Sequence, residues 1–122
     1  MYTYREQIMV TPSLTQEITQ LHADICSALA DPKRILILYA LADKPRNVSE
    51  VASEVGISQP AASRHLNILR ERGMVTAKRE GQAVIYMLAD TRTIQALDLL
   101  RAVLADNLRN RGLLAETFRE SS

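Results

Sequence analysis

Gln59, Ser63, Arg64 and Asn67 are the side chains of this sequence best suited to one kind of chemistry. An arginine fork matches guanine O6 and N7, Gln and Asn pair with adenine N6 and N7, and a serine hydroxyl serves a phosphate or either base edge. They fall in the stretch SQPAASRHLNILRERG, residues 58–73, which predicts a helix opened by Ser58, with Pro60 in its first turn and Gly73 at its close. At about 100° per residue, Ala62, Leu66, Leu69 and Gly73 form a narrow apolar stripe. Ser63, Arg64 and Asn67 point away from that stripe, and Gln59 sits on its edge. Helices that read base edges in a groove do so through their N-terminal turns, where these residues lie. The free N–H groups behind Ser58 favour a nearby phosphate. His65 lies on the flank, near that face or packed against a neighbour.

Other chemistry is sparse. His22 and Cys26 are spaced i, i+4 on one side of a helix, but closed zinc sites want four ligands. A lone cysteine is most often a small buried hydrophobe, so Cys26 is expected to pack, with a thiol response as the alternative. Two histidines, one cysteine, no glycine-rich phosphate loop and no clustered acid pair leave no catalytic site, cofactor or metal to assign. The expectation is a protein that is not an enzyme.

The charge divides unevenly. The net charge of +1 splits into −2 over residues 1–57, +3 over residues 58–86 and 0 over residues 87–122. The excess therefore sits on the polar helix and on the segment C-terminal to it, with Lys78, Arg79 and Gln82 clustered where a hairpin would turn.

The surrounding elements must position these groups. The 122 residues suffice for one core and one domain. Residues 1–12 read as a loose arm. Ser13 and Gln16 fit a capping box, and Leu14, Ile18, Leu21, Ile25 and Leu29 continue at helical spacing, predicting a helix over 13–29. Asp31 and Pro32 open an apolar helix, KRILILYALA. Ser49 is placed as the cap of a short helix ending at Gly56, so residues 49–73 form a helix-turn-helix. MVTAKR and QAVIYML, rich in β-branched residues, give a hairpin over 75–88. Asp90 then caps a helix over 91–110, stopped by Gly112, with Ile94, Leu97, Leu100, Leu104 and Leu108 on one face. Leu99 and Val103 widen that face beyond the needs of one small core, which points to a dimer. The longest apolar run, Ile35 to Ala42, is too short to span a membrane, and the N-terminus lacks a signal-peptide layout, so the cytoplasm is expected.

From Ala28 to Leu88 the chain resembles the ArsR/SmtB family of bacterial winged-helix repressors. ALADPKRILIL is similar to its Ala-Leu-x-Asp-Pro-x-Arg helix opening. SEVASEVGISQPAASRHLNILRERGMV is similar to its helix-turn-helix, including the Ser-x-His-Leu pattern at Ser63, His65 and Leu66, and REGQAVIYML is similar to its wing. The resemblance implies a mainly α winged helix-turn-helix of about five helices plus a two-stranded wing. It also implies a homodimer formed by the first and last helices, through Leu14, Ile18, Leu21, Ile94, Leu97, Leu100, Leu104 and Leu108, that represses from a palindromic double-stranded DNA operator. Ser58, Gln59, Ser63, Arg64, His65, Asn67, Lys78, Arg79 and Gln82 are the expected DNA contacts. The family's usual metal sites are missing: Asn47, Val48 and Ser49 stand where metal-sensing relatives carry Cys-Val-Cys, and no histidine occurs after His65. The effector is open. The alternatives are a winged-helix module that binds a protein, or a thiol-responsive repressor using Cys26.

Overall fold

The computed structural model describes residues 10–121, with side chains described to residue 112. The chain falls into two units, one up to Ala89 and one from Asp90 onward.

In the first unit, α1 (Pro12–Leu21) runs directly into a π turn (His22–Cys26). Its cap is Thr11, whose side chain accepts the Leu14 N–H at 3.0 Å, with Pro12 in the first turn. This corrects the expected Ser13–Gln16 box: proline costs least at the first helical position, and that places the cap one residue before it. The predicted arm is thereby shortened, and its residues 1–9 lie outside those described. The expected regular helix over 13–29 is likewise interrupted by the wider π turn.

Helix α2 (Pro32–Asp43) is capped by Asp31, as predicted, and buries Ile37, Leu38, Ala40 and Leu41. The short helix α3 (Val48–Val55) is capped by Asn47, not Ser49. Asn47 and Glu50 exchange side-chain to backbone bonds at 2.9 Å each, satisfying two N–H groups reciprocally, a box that a cap at Ser49 could not close. Gly56 ends α3 in the left-handed conformation, φ 75°, which only glycine adopts cheaply.

Helix α4 (Gln59–Glu71) starts at the predicted Ser58 cap and buries Ala62, Leu66 and Leu69. It closes through Gly73 at φ 76°, with Met74 N–H bonded to the Leu69 carbonyl at 2.8 Å and Gly73 N–H to that of Arg70 at 3.0 Å. Strands β1 (Val75–Glu80) and β2 (Ala83–Leu88) then pair antiparallel, from Val75 opposite Leu88 to Glu80 opposite Ala83. The hairpin is rooted by a backbone bridge between Tyr86 and Arg46, with bonds of 2.8 and 3.0 Å. Arg46 is buried, and its guanidinium donates to the Ala40 carbonyl at 2.9 Å and to Asp43 at 2.8 Å, with Glu54 at 3.8 Å.

The second unit is a single helix, α5 (Arg92–Ser121). Asp90 accepts the Arg92 backbone N–H at 2.8 Å and holds its guanidinium at 2.7 Å. Bonds from the Arg92 side chain and backbone hold the Asp90 carboxyl down at about 2. The helix passes through Gly112, where a stop was expected. A glycine inside a helix costs about 1 kcal/mol relative to alanine, too little to end a helix by itself.

Candidate nucleic-acid interface

The three buried side chains of α4 face the core of the first unit, alongside Ile37, Leu38, Val51 and Val75. That packing fixes which side of the helix is left outward. Gln59, Arg64 and Asn67 are exposed, and Ser63 and His65 are half-buried on the flanks. Ser58 accepts the Ala61 N–H at 3.2 Å and so acts first as a cap. His65 offers Nδ1 to the Arg34 guanidinium at 3.4 Å.

Gln59 donates from Nε2 to the Ser49 hydroxyl at 3.3 Å. Ser49, read from sequence as a cap, thus stands at the edge of the polar face instead. A cleft of about 350 Å³ opens there between the start of α3, α4 and β2, with Ser49, Ser63, Gln82 and Tyr86 among its lining residues.

Lys78, Arg79 and Gln82 are exposed at the far end of the hairpin. Lys78 and Arg79 are consecutive in β1, so the pleat sends them to opposite faces and both sides of the wing carry a cation. Among the described residues no hydrogen bond or ion pair occupies the side chain of Arg64, Asn67, Lys78 or Arg79. In contrast, Arg34, Arg46, Arg72, Arg92, Arg101 and Arg109 all sit within reach of a carboxylate. The cations on the reading side are therefore open to an external anion, as are Lys33, Lys44 and Arg70 elsewhere in the first unit.

The residues expected at a dimer interface divide. Leu14, Ile18 and Leu21 are exposed, with Ile25 continuing their line, and no residue of α1 or of the π turn is buried. Leu100, Leu104 and Leu108 are exposed on α5, as are Leu99 and Val103, whereas Ile94 is half-buried and Leu97 is buried. Cys26 is exposed, which corrects the expectation that it packs: it sits in a stretch, α1 and the π turn, in which no residue is buried. Among the described residues no three His, Cys, Asp or Glu side chains gather to hold a metal. No described helix is long and apolar enough to cross a membrane.

Sequence reasoning missed Arg34, Arg46 and Arg72 as organising residues. In the sequence Arg72 is only a unit of charge, while Arg34 falls within the DPKR segment that carries the resemblance.

Residues 31–77 match the model of the family described as bacterial regulatory protein, arsR family. The chain is 36% identical over 106 residues to Rv0081, an HTH-type transcriptional regulator of Mycobacterium tuberculosis, covering 86% of this chain and 93% of that one. The chain belongs to the ArsR family. It is accordingly a DNA-binding transcriptional regulator with a winged helix-turn-helix, α3 and α4 being the helix pair and β1–β2 the wing. A second relative in the family, a probable mercury resistance operon repressor of Streptomyces lividans, is 36% identical over 97 residues, covering 76% of this chain and 78% of the relative. The crystal structure of Rv0081 superposes with a TM-score of 0.69 at 38% identity, covering 77% of this chain and 95% of that one. The homodimeric winged helix-turn-helix DNA-binding domain of Mb0332 from Mycobacterium bovis gives 0.71 at 29% identity, covering 82% and 92%.

Proposed function

We propose that this ArsR-family regulator is a homodimeric repressor that reads a palindromic operator with α4 in the major groove and the wing on the flanking backbone. The observation that carries the reading is the two-sidedness of α4: Ala62, Leu66 and Leu69 are buried while Gln59, Arg64 and Asn67 are exposed. In this reading Arg64 and Asn67 take base edges, Gln59 and Ser63 border the groove, and Ser58 and His65 lie at its rim. Lys78, Arg79 and Gln82 meet phosphate or a minor groove. A second copy covers the apolar stripe of α1 and that of α5, and the two-fold symmetry of the pair matches a palindrome. The scarcity of histidine and cysteine supports a regulator without the metal sites of its metal-sensing relatives. Residues 1–122 then act as one regulatory domain in the cytoplasm.

The test is a binding titration on a duplex selected by the protein from random-sequence DNA, repeated across salt concentrations. Log affinity is expected to fall linearly with log salt, by about 0.9 per phosphate neutralised. Failure to bind any duplex at ~50 mM salt, where backbone contacts are strongest, refutes the reading.

A further inference from the structure

Because α1 and its π turn bury no residue, apolar packing within the described residues holds this stretch only weakly to the rest of its unit before Ala28. Two guanidinium groups take over that task. Arg34, on α2, donates from Nε to the Ala28 carbonyl at 2.7 Å and from Nη2 to the Ser27 carbonyl at 3.2 Å. Its Nη1 reaches Nδ1 of His65, in the middle of α4, at 3.4 Å. Arg72, the residue that closes α4, donates from Nη1 to the Ala23 carbonyl inside the π turn and to the Ser27 hydroxyl at 2.9 Å, with an Asp24 carboxylate oxygen at 3.9 Å. Ser27 Oγ in turn donates to the same Ala23 carbonyl at 2.5 Å. Ala28 closes the helical stretch, where carbonyls lack intrahelical donors, and Arg34 supplies one; the Ser27 carbonyl also accepts the Ala30 N–H at 3.3 Å.

We propose that Arg34 and Arg72 are positioning residues that clasp α4 to the π turn, so that docking of α1 on a second copy also sets the separation and tilt of the two reading helices. The inference rests on the dimeric DNA-binding reading above. A helix held only by Ala62, Leu66 and Leu69 is anchored along one line and can rock about it. The clasp adds fixed points at its middle and at its end, tying it to the π turn and to the two residues that follow it, which continue directly from α1. A dimer reads two half-sites only when its recognition helices lie about one helical turn of DNA apart, ~34 Å, so a loosened α4 loses register between half-sites before it loses contact with either. π turns, costly in an otherwise regular helix, occur often at functional sites.

The experiment compares wild type with Arg72→Ala on three probes. These are the duplex selected by the wild-type protein, the same duplex with one or two base pairs added or removed between half-sites, and a single half-site. Arg72→Ala is expected to bind the selected duplex about tenfold more weakly, equivalent to ~1.4 kcal/mol, to discriminate less between spacings, and to bind the single half-site as wild type does. An equal loss on all three probes overturns the proposal, since Arg72 would then be a backbone contact. Unchanged affinity and spacing preference overturn it too. Ser27→Ala, which removes one acceptor of the clasp and leaves every charge in place, is expected to shift the spacing preference in the same direction by a smaller factor. Amide exchange over residues 22–28 gives a readout that needs no DNA: it is expected to speed up in Arg72→Ala, and unchanged exchange refutes the clasp. If the wild-type chain binds no duplex, it is the DNA-binding reading that fails; if it binds and Arg72→Ala keeps its spacing preference, only the clasp does.

Discussion

Ile18→Ala isolates the role of α1. Ile18 is 49% exposed in the single chain and lies mid-stripe between Leu14 and Leu21. Full burial of such a side chain is worth about 1.5–3 kcal/mol, so covering the open half contributes roughly 0.7–1.5 kcal/mol per copy. Both copies bring the residue to a symmetric interface, so the substitution is expected to weaken association by roughly 1.5–3 kcal/mol, or about ten- to a hundredfold in the dimer dissociation constant. Alanine is the best helix former, so α1 itself is not penalised. Leu36→Ala supplies the control: Leu36 is 48% exposed, but on α2 and outside the stripe, and its removal is expected to leave association unchanged. Sedimentation equilibrium over a wide concentration range reads both constants. The reasoning is refuted if Ile18→Ala and wild type associate equally, or if Leu36→Ala weakens the dimer as much.

Three further perturbations separate the parts of the molecule. Arg64→Ala is expected to lower discrimination among selected sequences by about 1–3 kcal/mol, whereas Lys78→Ala weakens all sequences alike and reduces the salt slope by about 1; parallel titrations that show the same pattern for both refute the division of labour. Arg46→Ala removes the buried donor to Ala40 and the partner of Asp43 and is expected to cost about 2 kcal/mol in urea unfolding, against a near-zero cost for Arg64→Ala. The Asp90 carboxyl, held at about 2 from an ordinary 3.8 by Arg92, contributes stability above pH 4 that is lost as pH falls through about 2. An NMR titration placing Asp90 near 3.8 rejects those bonds, and Arg92→Ala, which removes the side-chain bonds and keeps the backbone one, is expected to raise it part of the way there.

What the sequence made legible was whatever rests on local pattern. The Ser58 cap, the core stripe of α4 and the β-branched hairpin each derive from residue type and spacing, and all three stand in the structure. The misplaced caps were decided by competition between near neighbours. Thr11 and Ser13 both suit a cap, and the proline between them settles it; Asn47 and Ser49 both suit one, and only Asn47 has a glutamate three residues on. The π turn was not legible, because Arg72, which bonds the Ala23 carbonyl and the Ser27 hydroxyl, is 45 or more positions away in the chain. Nor was the exposure of Cys26: an apolar stripe in a sequence does not say whether its own chain or another will cover it.

The separation of duties within α4 has a consequence for descent. Arg64 and Asn67 are exposed and hold no hydrogen bond or ion pair among the described residues, so exchanging them is expected to leave folding intact and to alter what is recognised. Leu66 and Leu69, wholly enclosed, are bound to the opposite rule. A scaffold arranged in this way passes on its architecture and its target preference as independent traits, and a lineage can change its address without rebuilding its house.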